Sequence, residues 1–183
     1  MIIISLGSNV TGRWGNPAST ILHAFRHIEC EGITVIRRSA LYVTTPFGEV
    51  EQPDFVNAAA VVSTSKPPAA LLSVLKRIEA KAGRKPTRRW GPRTLDLDIV
   101  DYKTRIIRPS QDGVFSSKNK SDLILPHPEA HRRPFVLRPI AEIAPYWHHP
   151  VSGRTAAQLL SRLTGAKEGA IVKIVQELGP ACS

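Results

Sequence analysis

The chain has 183 residues, of which 42% are apolar and 22% charged; this is typical of one soluble globular domain and excludes a disordered or fibrous chain. Its formal net charge of +10 favours an anionic partner, such as a phosphorylated metabolite or a nucleic acid. The sequence shows no signal peptide and no apolar run of membrane-spanning length, and we expect a cytoplasmic protein.

Hydrophobic periodicity divides the first 102 residues into six elements. In chain order, we predict a strand at 2–6, a helix at 17–31, strands at 33–44 and 55–64, a helix at 67–82 and a strand at 94–102. Asn16 before Pro17 is a typical helix start, and Ser65 is expected to cap the second helix. The order β-α-β-β-α-β predicts a ferredoxin-like α+β fold, in which two helices cover one face of an antiparallel sheet. We therefore expect the functional residues on the other, uncovered face.

The pattern is weaker in residues 103–183. Four prolines break up the middle of this stretch, namely Pro126, Pro128, Pro134 and Pro139. Thr155 and Gln158 form a capping box that predicts a last helix, and 171–175 is expected to form a final strand. Because no repeat or second composition is present, we predict a single domain with its core at 1–102 and an annex after it.

Asp96 and Asp98 stand two residues apart in the strand predicted at 94–102. This spacing puts both carboxylates on one face, with Cα atoms roughly 6 to 7 Å apart. Mg²⁺ prefers carboxylate and phosphate oxygens, so the pair suits a metal-bound nucleotide and has room for two ions. Two solvated aspartates on an exposed strand face are the alternative. The rarity of aspartate in strands and the neighbouring basic cluster favour the metal.

A basic cluster precedes the two carboxylates. It contains five cations in ten residues, namely Arg84, Lys85, Arg88, Arg89 and Arg93, with Trp90 among them. Such a loop can fold over a polyphosphate, because guanidinium groups make bidentate contacts with phosphate oxygens. The alternatives are a nucleic-acid surface or a solvated loop. The adjacent carboxylates favour a small phosphorylated ligand, since binding to a duplex backbone does not require them.

Motifs of other chemistries are absent from the sequence, which contains no P-loop, no dinucleotide-binding glycine motif, no serine-hydrolase elbow and no zinc-protease helix. His127 and His131 flank Glu129 as in a metal triad. However, Pro128 disturbs the spacing, and we favour a hydrogen-bonding or phosphate-contacting role for these histidines. Phosphate binding therefore depends on side chains and metal.

Phe55 and Asn57 share one face of the strand predicted at 55–64. An aromatic ring beside an amide suits a flat heterocycle that stacks and forms hydrogen bonds. An ordinary core phenylalanine and a hydrogen-bonded asparagine within the sheet are the alternative.

Several stretches together resemble one enzyme family. They are GSN at 7–9, residues 45–59 with the motif QPDFVNAA, RWGPRTLDLDI at 89–99, LPHP at 125–128 and RPFVLRP at 133–139. The resemblance is to the 6-hydroxymethyl-7,8-dihydropterin pyrophosphokinases of folate biosynthesis, and it covers most of residues 1 to 145. It implies an ATP-dependent transferase that moves a pyrophosphoryl group from ATP to the pterin hydroxymethyl group, giving AMP and the pterin diphosphate.

The resemblance also implies roles for matched positions. Asp96 and Asp98 would hold two Mg²⁺ ions and act in catalysis together with Arg84 and Arg93. The implied ATP-binding residues are Leu72, Glu79, Arg89, Trp90, Arg93, Ile99, His127 and Arg133. The implied pterin-binding residues are Thr44, Pro46, Phe47, Gly48, Phe55, Asn57 and Phe135.

Two alternatives to an active enzyme stay open at the level of sequence. One is a basic ferredoxin-like module that binds RNA, although no RRM-type motif is present. The other is an inactive homologue that binds pterin or nucleotide as a regulator, against which the retained acidic and arginine residues argue. We expect a monomer whose partners are ATP and the dihydropterin, with no nucleic acid and no membrane among them.

Overall fold

The computed structural model describes residues 1–46, 51–85, 91–108, 123–163 and 170–176, and these form one antiparallel sheet with helices on both faces. The elements are β1 (Ile2–Ser8), α1 (Pro17–Cys30), β2 (Thr34–Arg38), β3 (Leu41–Thr44), β4 (Phe55–Ser63), α2 (Pro68–Lys81), β5 (Asp96–Tyr102), α3 (Pro134–Ile143), α4 (Ala156–Ser161) and β6 (Ile171–Gln176), with a short 3₁₀ helix at Ala130–Arg132. No helix in these ranges is both long and apolar enough to cross a membrane.

The strand order of the sheet is β5-β1-β4-β3-β6, and β2 also pairs with β4. All of these pairings are antiparallel. When β2 and β3 are taken as one interrupted strand, the first five strands and two helices have the β-α-β-β-α-β order of a ferredoxin-like fold. The predicted fold class is therefore confirmed, and β6 extends the sheet beyond β3.

The single strand predicted at 33–44 is wrong in one respect, because it is interrupted at Ser39 and Ala40. The Ser39 N–H donates to the Ala59 carbonyl at 3.0 Å, and the Ala59 N–H donates to Ser39 Oγ at 2.9 Å. The Ala40 N–H donates instead to the carboxylate of Glu142 in α3, at 3.0 Å. Side-chain oxygens thus replace regular strand pairing at this point, which the apolar pattern could not reveal.

Local patterns predict a capping residue at three helix starts, and two of these caps are confirmed. The Asn16 side chain caps α1, and Thr155 and Gln158 form both bonds of the capping box on α4. The prediction that Ser65 caps α2 is wrong: Pro67 occupies the cap position and makes no side-chain bond there. Two consecutive prolines already fix the backbone angle at this helix start, so no capping side chain is needed.

The second face of the sheet is not uncovered, contrary to the prediction. Ile3, Val61 and Val100 point to this face and form a second apolar core with Leu137 and Ile140 of α3, to which α4 also contributes. Residues 123–163 therefore provide a second helical layer on the sheet. In the described part of the chain, the end of this face where β1 finishes and β5 begins lines an open pocket.

The error arose from the prolines of α3. Pro134 occupies the first helical turn, where the absent N–H is not needed, and Pro139 lies inside the helix at a local cost. The apolar residues Val136, Leu137 and Ile140 recur at helical spacing and are buried. Burial of this apolar stripe outweighs the proline penalty.

We predict that Leu137→Ala lowers the free energy of unfolding by about 2 to 5 kcal/mol, because the fully buried side chain joins α3 to the sheet. Val151→Ala removes an exposed apolar side chain of the same layer and should change the free energy by no more than about 0.5 kcal/mol. Urea unfolding of both variants measures the difference. Equal effects would contradict a second core on this face.

Candidate active site

One pocket at the accessible end of the sheet contains nine of the eighteen site residues that the sequence predicts. It lies beside the end of β1, the start of β4 and β5, and the start of α3. Its charged and imidazole side chains are Arg93, Asp96, Asp98, His127 and Arg133, and its other side chains include Thr44, Thr45, Phe55, Asn57, Phe135 and Val136.

Asp96 is bound by two arginines. Its Oδ1 accepts from Arg84 Nη1 at 2.6 Å, and its Oδ2 accepts from Arg93 Nη1. Burial alone would raise the pKa of Asp96, but the charges of Arg93, Arg84 and Lys76 together lower it. Asp96 is therefore a carboxylate at neutral pH, with both oxygens already in use.

Asp98 lies on the same face of β5 and has different neighbours. Lys76 Nζ is 3.5 Å from its Oδ1, and His127 Nε2 is 3.8 Å from its Oδ2. Burial lowers the pKa of His127, although the charge of Asp98 favours the protonated form. His127 Nδ1 accepts the Glu129 N–H at 3.2 Å, so the proton of the neutral ring is on Nε2 and faces Asp98.

Two side chains of α2 hold the backbone between the two carboxylates. β5 has β1 on one edge, and at Leu97 its other edge faces α2. The Leu97 N–H donates to Glu79 Oε1 at 2.7 Å, and Lys76 Nζ donates to the Leu97 carbonyl at 2.9 Å. These side chains take the place of a neighbouring strand, and they fix the direction in which both carboxylates project.

Glu79 also connects this clamp to Arg84. Its Oε1 accepts from Lys76 Nζ at 2.7 Å, and its Oε2 is 2.5 Å from Arg84 Nη1. Burial raises the pKa of Glu79 more than the charges of Lys76 and Arg84 lower it. The same two charges compensate the buried carboxylate, and Arg84 thereby joins Glu79 to Asp96.

Asn9 joins the loops around the pocket and is 3% exposed. It exchanges two bonds with Arg93: the Arg93 N–H donates to Asn9 Oδ1 at 2.7 Å, and the Asn9 N–H donates to the Arg93 carbonyl at 3.0 Å. Its Nδ2 donates to Gln52 Oε1 at 3.0 Å and to the Pro53 carbonyl at 3.1 Å. Asn9 thus positions Arg93 relative to the segment before β4.

The uncharged part of the pocket combines aromatic rings with an amide. Phe55 and Phe135 are half-buried, and Asn57 Nδ2 donates to Thr44 Oγ1 at 2.8 Å. A Cβ atom at Gly7 would lie 3.0 Å from Asn57 Oδ1, so the absence of a side chain there leaves room for the amide. Arg133 Cζ is 5.9 Å from the centre of the Phe135 ring, which brings the charged and uncharged parts together.

Not every predicted residue reaches the pocket. The side chains of Leu72 and Ile99 belong to the core between the sheet and α1 and α2, where Ile99 is 3% exposed. Arg84, Glu79 and Pro46 do not line the pocket either. Arg84 lies between Glu79 and the pocket residue Asp96. Their predicted ligand contacts stay predictions. Five residues that the sequence analysis names for ligand binding lie outside the described ranges, namely Phe47, Gly48, Arg88, Arg89 and Trp90.

Lys76 and Asn9 were not among the predicted site residues. Lys76 precedes Glu79 by one helical turn, which is a signal for an ion pair but not for contact with β5. Asn9 belongs to the GSN motif, yet its bonds to Arg93 span 84 positions. Contacts at such separation are set by the fold and have no local pattern.

The carboxylate pair fits a hard divalent cation that is shared with a ligand. The described ranges contain no group of three or more His, Cys, Asp or Glu side chains that could hold a metal ion, so a cation at this pair would need ligand oxygens as well. Asp96 and Asp98 supply oxygen donors from adjacent positions on one face, and Mg²⁺ is commonly held by one or two carboxylates together with phosphate oxygens.

Comparisons with known proteins converge on one family. The family model described as 7,8-dihydro-6-hydroxymethylpterin-pyrophosphokinase (HPPK) matches residues 3–145. The 2-amino-4-hydroxy-6-hydroxymethyldihydropteridine pyrophosphokinase of Methylorubrum extorquens is 38% identical over 161 residues, which are 87% of this chain and 91% of the relative. The protein of the same name from Synechocystis sp. is 42% identical over 132 residues, 72% of this chain and 62% of the relative.

Solved structures share the fold. Wild-type Plasmodium falciparum HPPK-DHPS with SDX-DHP superposes with a TM-score of 0.63 at 18% identity, over 88% of this chain and 43% of that chain. At this identity the likeness concerns the fold alone. The chain spans less than two thirds of the Synechocystis and Plasmodium proteins and almost all of the Methylorubrum protein.

We predict that Asn9→Ala lowers the free energy of unfolding by about 1 to 3 kcal/mol, because the partly buried Arg93 N–H loses its acceptor. Gln52→Ala is the matched control: it removes one acceptor of Asn9 Nδ2 but leaves the Pro53 carbonyl, and should cost less. Denaturant unfolding measures both values. A cost for Asn9→Ala no larger than for Gln52→Ala would contradict the linking role of Asn9.

Proposed function

Because this chain belongs to the 7,8-dihydro-6-hydroxymethylpterin-pyrophosphokinase family, we propose that it transfers the pyrophosphoryl group of ATP to 6-hydroxymethyl-7,8-dihydropterin. The membership confirms the predicted family and enzyme class. The observation that carries the proposal is one pocket in which paired carboxylates and cations adjoin two aromatic rings and an amide. A triphosphate and a flat heterocycle need these two kinds of surroundings, and the transfer needs them side by side.

The charged part of the pocket is nearly neutral before a ligand arrives. In the pocket and directly behind it, four cations, Lys76, Arg84, Arg93 and Arg133, stand against three carboxylates, Glu79, Asp96 and Asp98. Guanidinium groups that now bind Asp96 are placed to bind phosphate oxygens instead. Phosphoryl transfer depends mainly on positioning and on charge neutralisation, and this arrangement supplies both.

Asp96 and Asp98 would hold Mg²⁺, and we propose that two ions bind there. When bound, Mg²⁺ would neutralise phosphate charge and act as a Lewis acid. The protein orients the two carboxylates through the hydrogen bonds that join the Leu97 backbone to Glu79 and Lys76.

In the proposed reaction, the pterin hydroxymethyl oxygen forms a bond to the β-phosphorus, and the bond from that phosphorus to the bridging oxygen of the α-phosphate breaks. AMP leaves with that oxygen, and the hydroxyl proton passes to solvent. Arg93 and Arg133 are in position to bind the charged oxygens. His127, neutral with its proton on Nε2, is in position to donate one hydrogen bond. No strong protein base is required.

Phe55 and Phe135 would stack on the pterin ring, and the Asn57 amide, oriented by Thr44, would read its edge. We further propose a cytoplasmic monomer that uses no nucleic acid.

We predict that AMP and the pterin diphosphate form in equal amounts when the protein is given ATP, Mg²⁺ and the dihydropterin alcohol. Chromatography of the nucleotides measures the products. ADP in place of AMP would contradict pyrophosphoryl transfer, and no nucleotide turnover would favour the inactive, ligand-binding homologue.

We predict that Asp96→Ala and Asp98→Ala each lower kcat on the order of 10²-fold or more, because each removes an oxygen donor aimed at the phosphates. Thermal melting checks that the variants fold. Glu29→Ala, at an exposed position of α1, is the control and should leave kcat unchanged. Near-native kcat at limiting Mg²⁺ for either aspartate variant would contradict its role.

A further inference from the structure

Lys76 reaches the carboxylate pair from outside the pocket. It belongs to α2, and its ammonium group extends to the edge of β5. The three acceptors around Nζ are Glu79 Oε1 at 2.7 Å, the Leu97 carbonyl at 2.9 Å and Asp98 Oδ1 at 3.5 Å. Two short bonds thus determine where the ammonium lies, and Asp98 is its third, longer contact.

The two carboxylates therefore have different counter-ions. Asp96 is bonded to Arg84 and Arg93, whereas Asp98 has Lys76 as its nearest ammonium group, the uncharged His127 at 3.8 Å, and Arg133 as a further charge that acts on it. The Lys76 side chain is 43% exposed and that of Asp98 is 29% exposed, so solvent and ions reach this pair. An ammonium and a divalent cation beside the same carboxylate repel each other.

We propose that the Lys76 ammonium group competes with the divalent cation for Asp98, and so makes tight metal binding depend on a polyphosphate. The proposal rests on the metal-binding role of Asp98 in the proposed function. Without nucleotide, the ammonium neutralises Asp98 and opposes a metal ion. A polyphosphate brings new negative charge beside Lys76 and removes that opposition.

A purely structural role would give a different result. Lys76 would then serve only to hold the Leu97 carbonyl and Glu79, and its charge would not matter for the metal. Lys76→Gln separates the two roles, because the amide still donates hydrogen bonds but carries no charge. Lys81→Gln is the matched control, since Lys81 belongs to the same helix but pairs with Glu31.

The test is a titration with Mn²⁺, a paramagnetic substitute for Mg²⁺, in which electron paramagnetic resonance measures the free ion. Without nucleotide, we expect Lys76→Gln to bind Mn²⁺ about tenfold more tightly than the wild type. A charge at this distance shifts the pKa of a carboxyl group by at least about one unit, and we expect an effect of the same size on metal binding. Lys81→Gln and Lys76→Arg should match the wild type within about twofold. With a non-hydrolysable ATP analogue, the difference between Lys76→Gln and the wild type should shrink.

Asp98→Asn separates failure of this proposal from failure of the metal assignment. If Asp98→Asn weakens Mn²⁺ binding while Lys76→Gln leaves it unchanged or weakens it, competition by Lys76 is wrong and the metal role of Asp98 stands. If Asp98→Asn has no effect, Asp98 is not a metal ligand and both proposals fall. Thermal melting checks folding. Should Lys76→Gln not fold, Lys76→Met also removes the charge, together with the bonds to Glu79 and Leu97, and tighter Mn²⁺ binding by that variant would equally support competition.

Discussion

The edge of β5 that faces α2 is the constraint on which the site depends. A strand edge without a neighbouring strand leaves backbone groups unpaired, and an unpaired buried group is costly. At Leu97 the side chains of Glu79 and Lys76 make those bonds. The same two bonds hold the backbone between Asp96 and Asp98, so the groups that complete the sheet also orient the carboxylates.

The layer formed by α3 determines where on the sheet a ligand can bind. Its apolar residues cover Ile3 and Val100, whereas Gly7 and Asp96 lie farther along the same two strands and face the pocket. Arg133, at the start of α3, lies at the boundary between these regions. One helix thus closes part of the sheet face as core and contributes a cation to the rest.

Local patterns were sufficient for the fold class and for the shared face of Asp96 and Asp98, because strand alternation is a property of neighbouring residues. They were insufficient for α3, because Pro134 and Pro139 are typical of irregular structure, whereas the buried residues Val136 and Ile140 follow helical spacing. The position of Lys76 beside Leu97 depends on how α2 packs on the sheet. No pattern within α2 specifies that contact.

The net charge of +10 predicted an anionic partner but not how the protein tolerates its basic residues before that partner binds. At the site, Arg84 and Arg93 share Asp96, and Lys76 is placed between Glu79 and Asp98. Cations suited to phosphate and carboxylates suited to metal thus neutralise each other. A metal ion alone would displace cations without giving them new partners, and a polyphosphate alone would face the same carboxylates. Because each ligand removes the opposition to the other, this arrangement favours their binding together over the binding of either one alone.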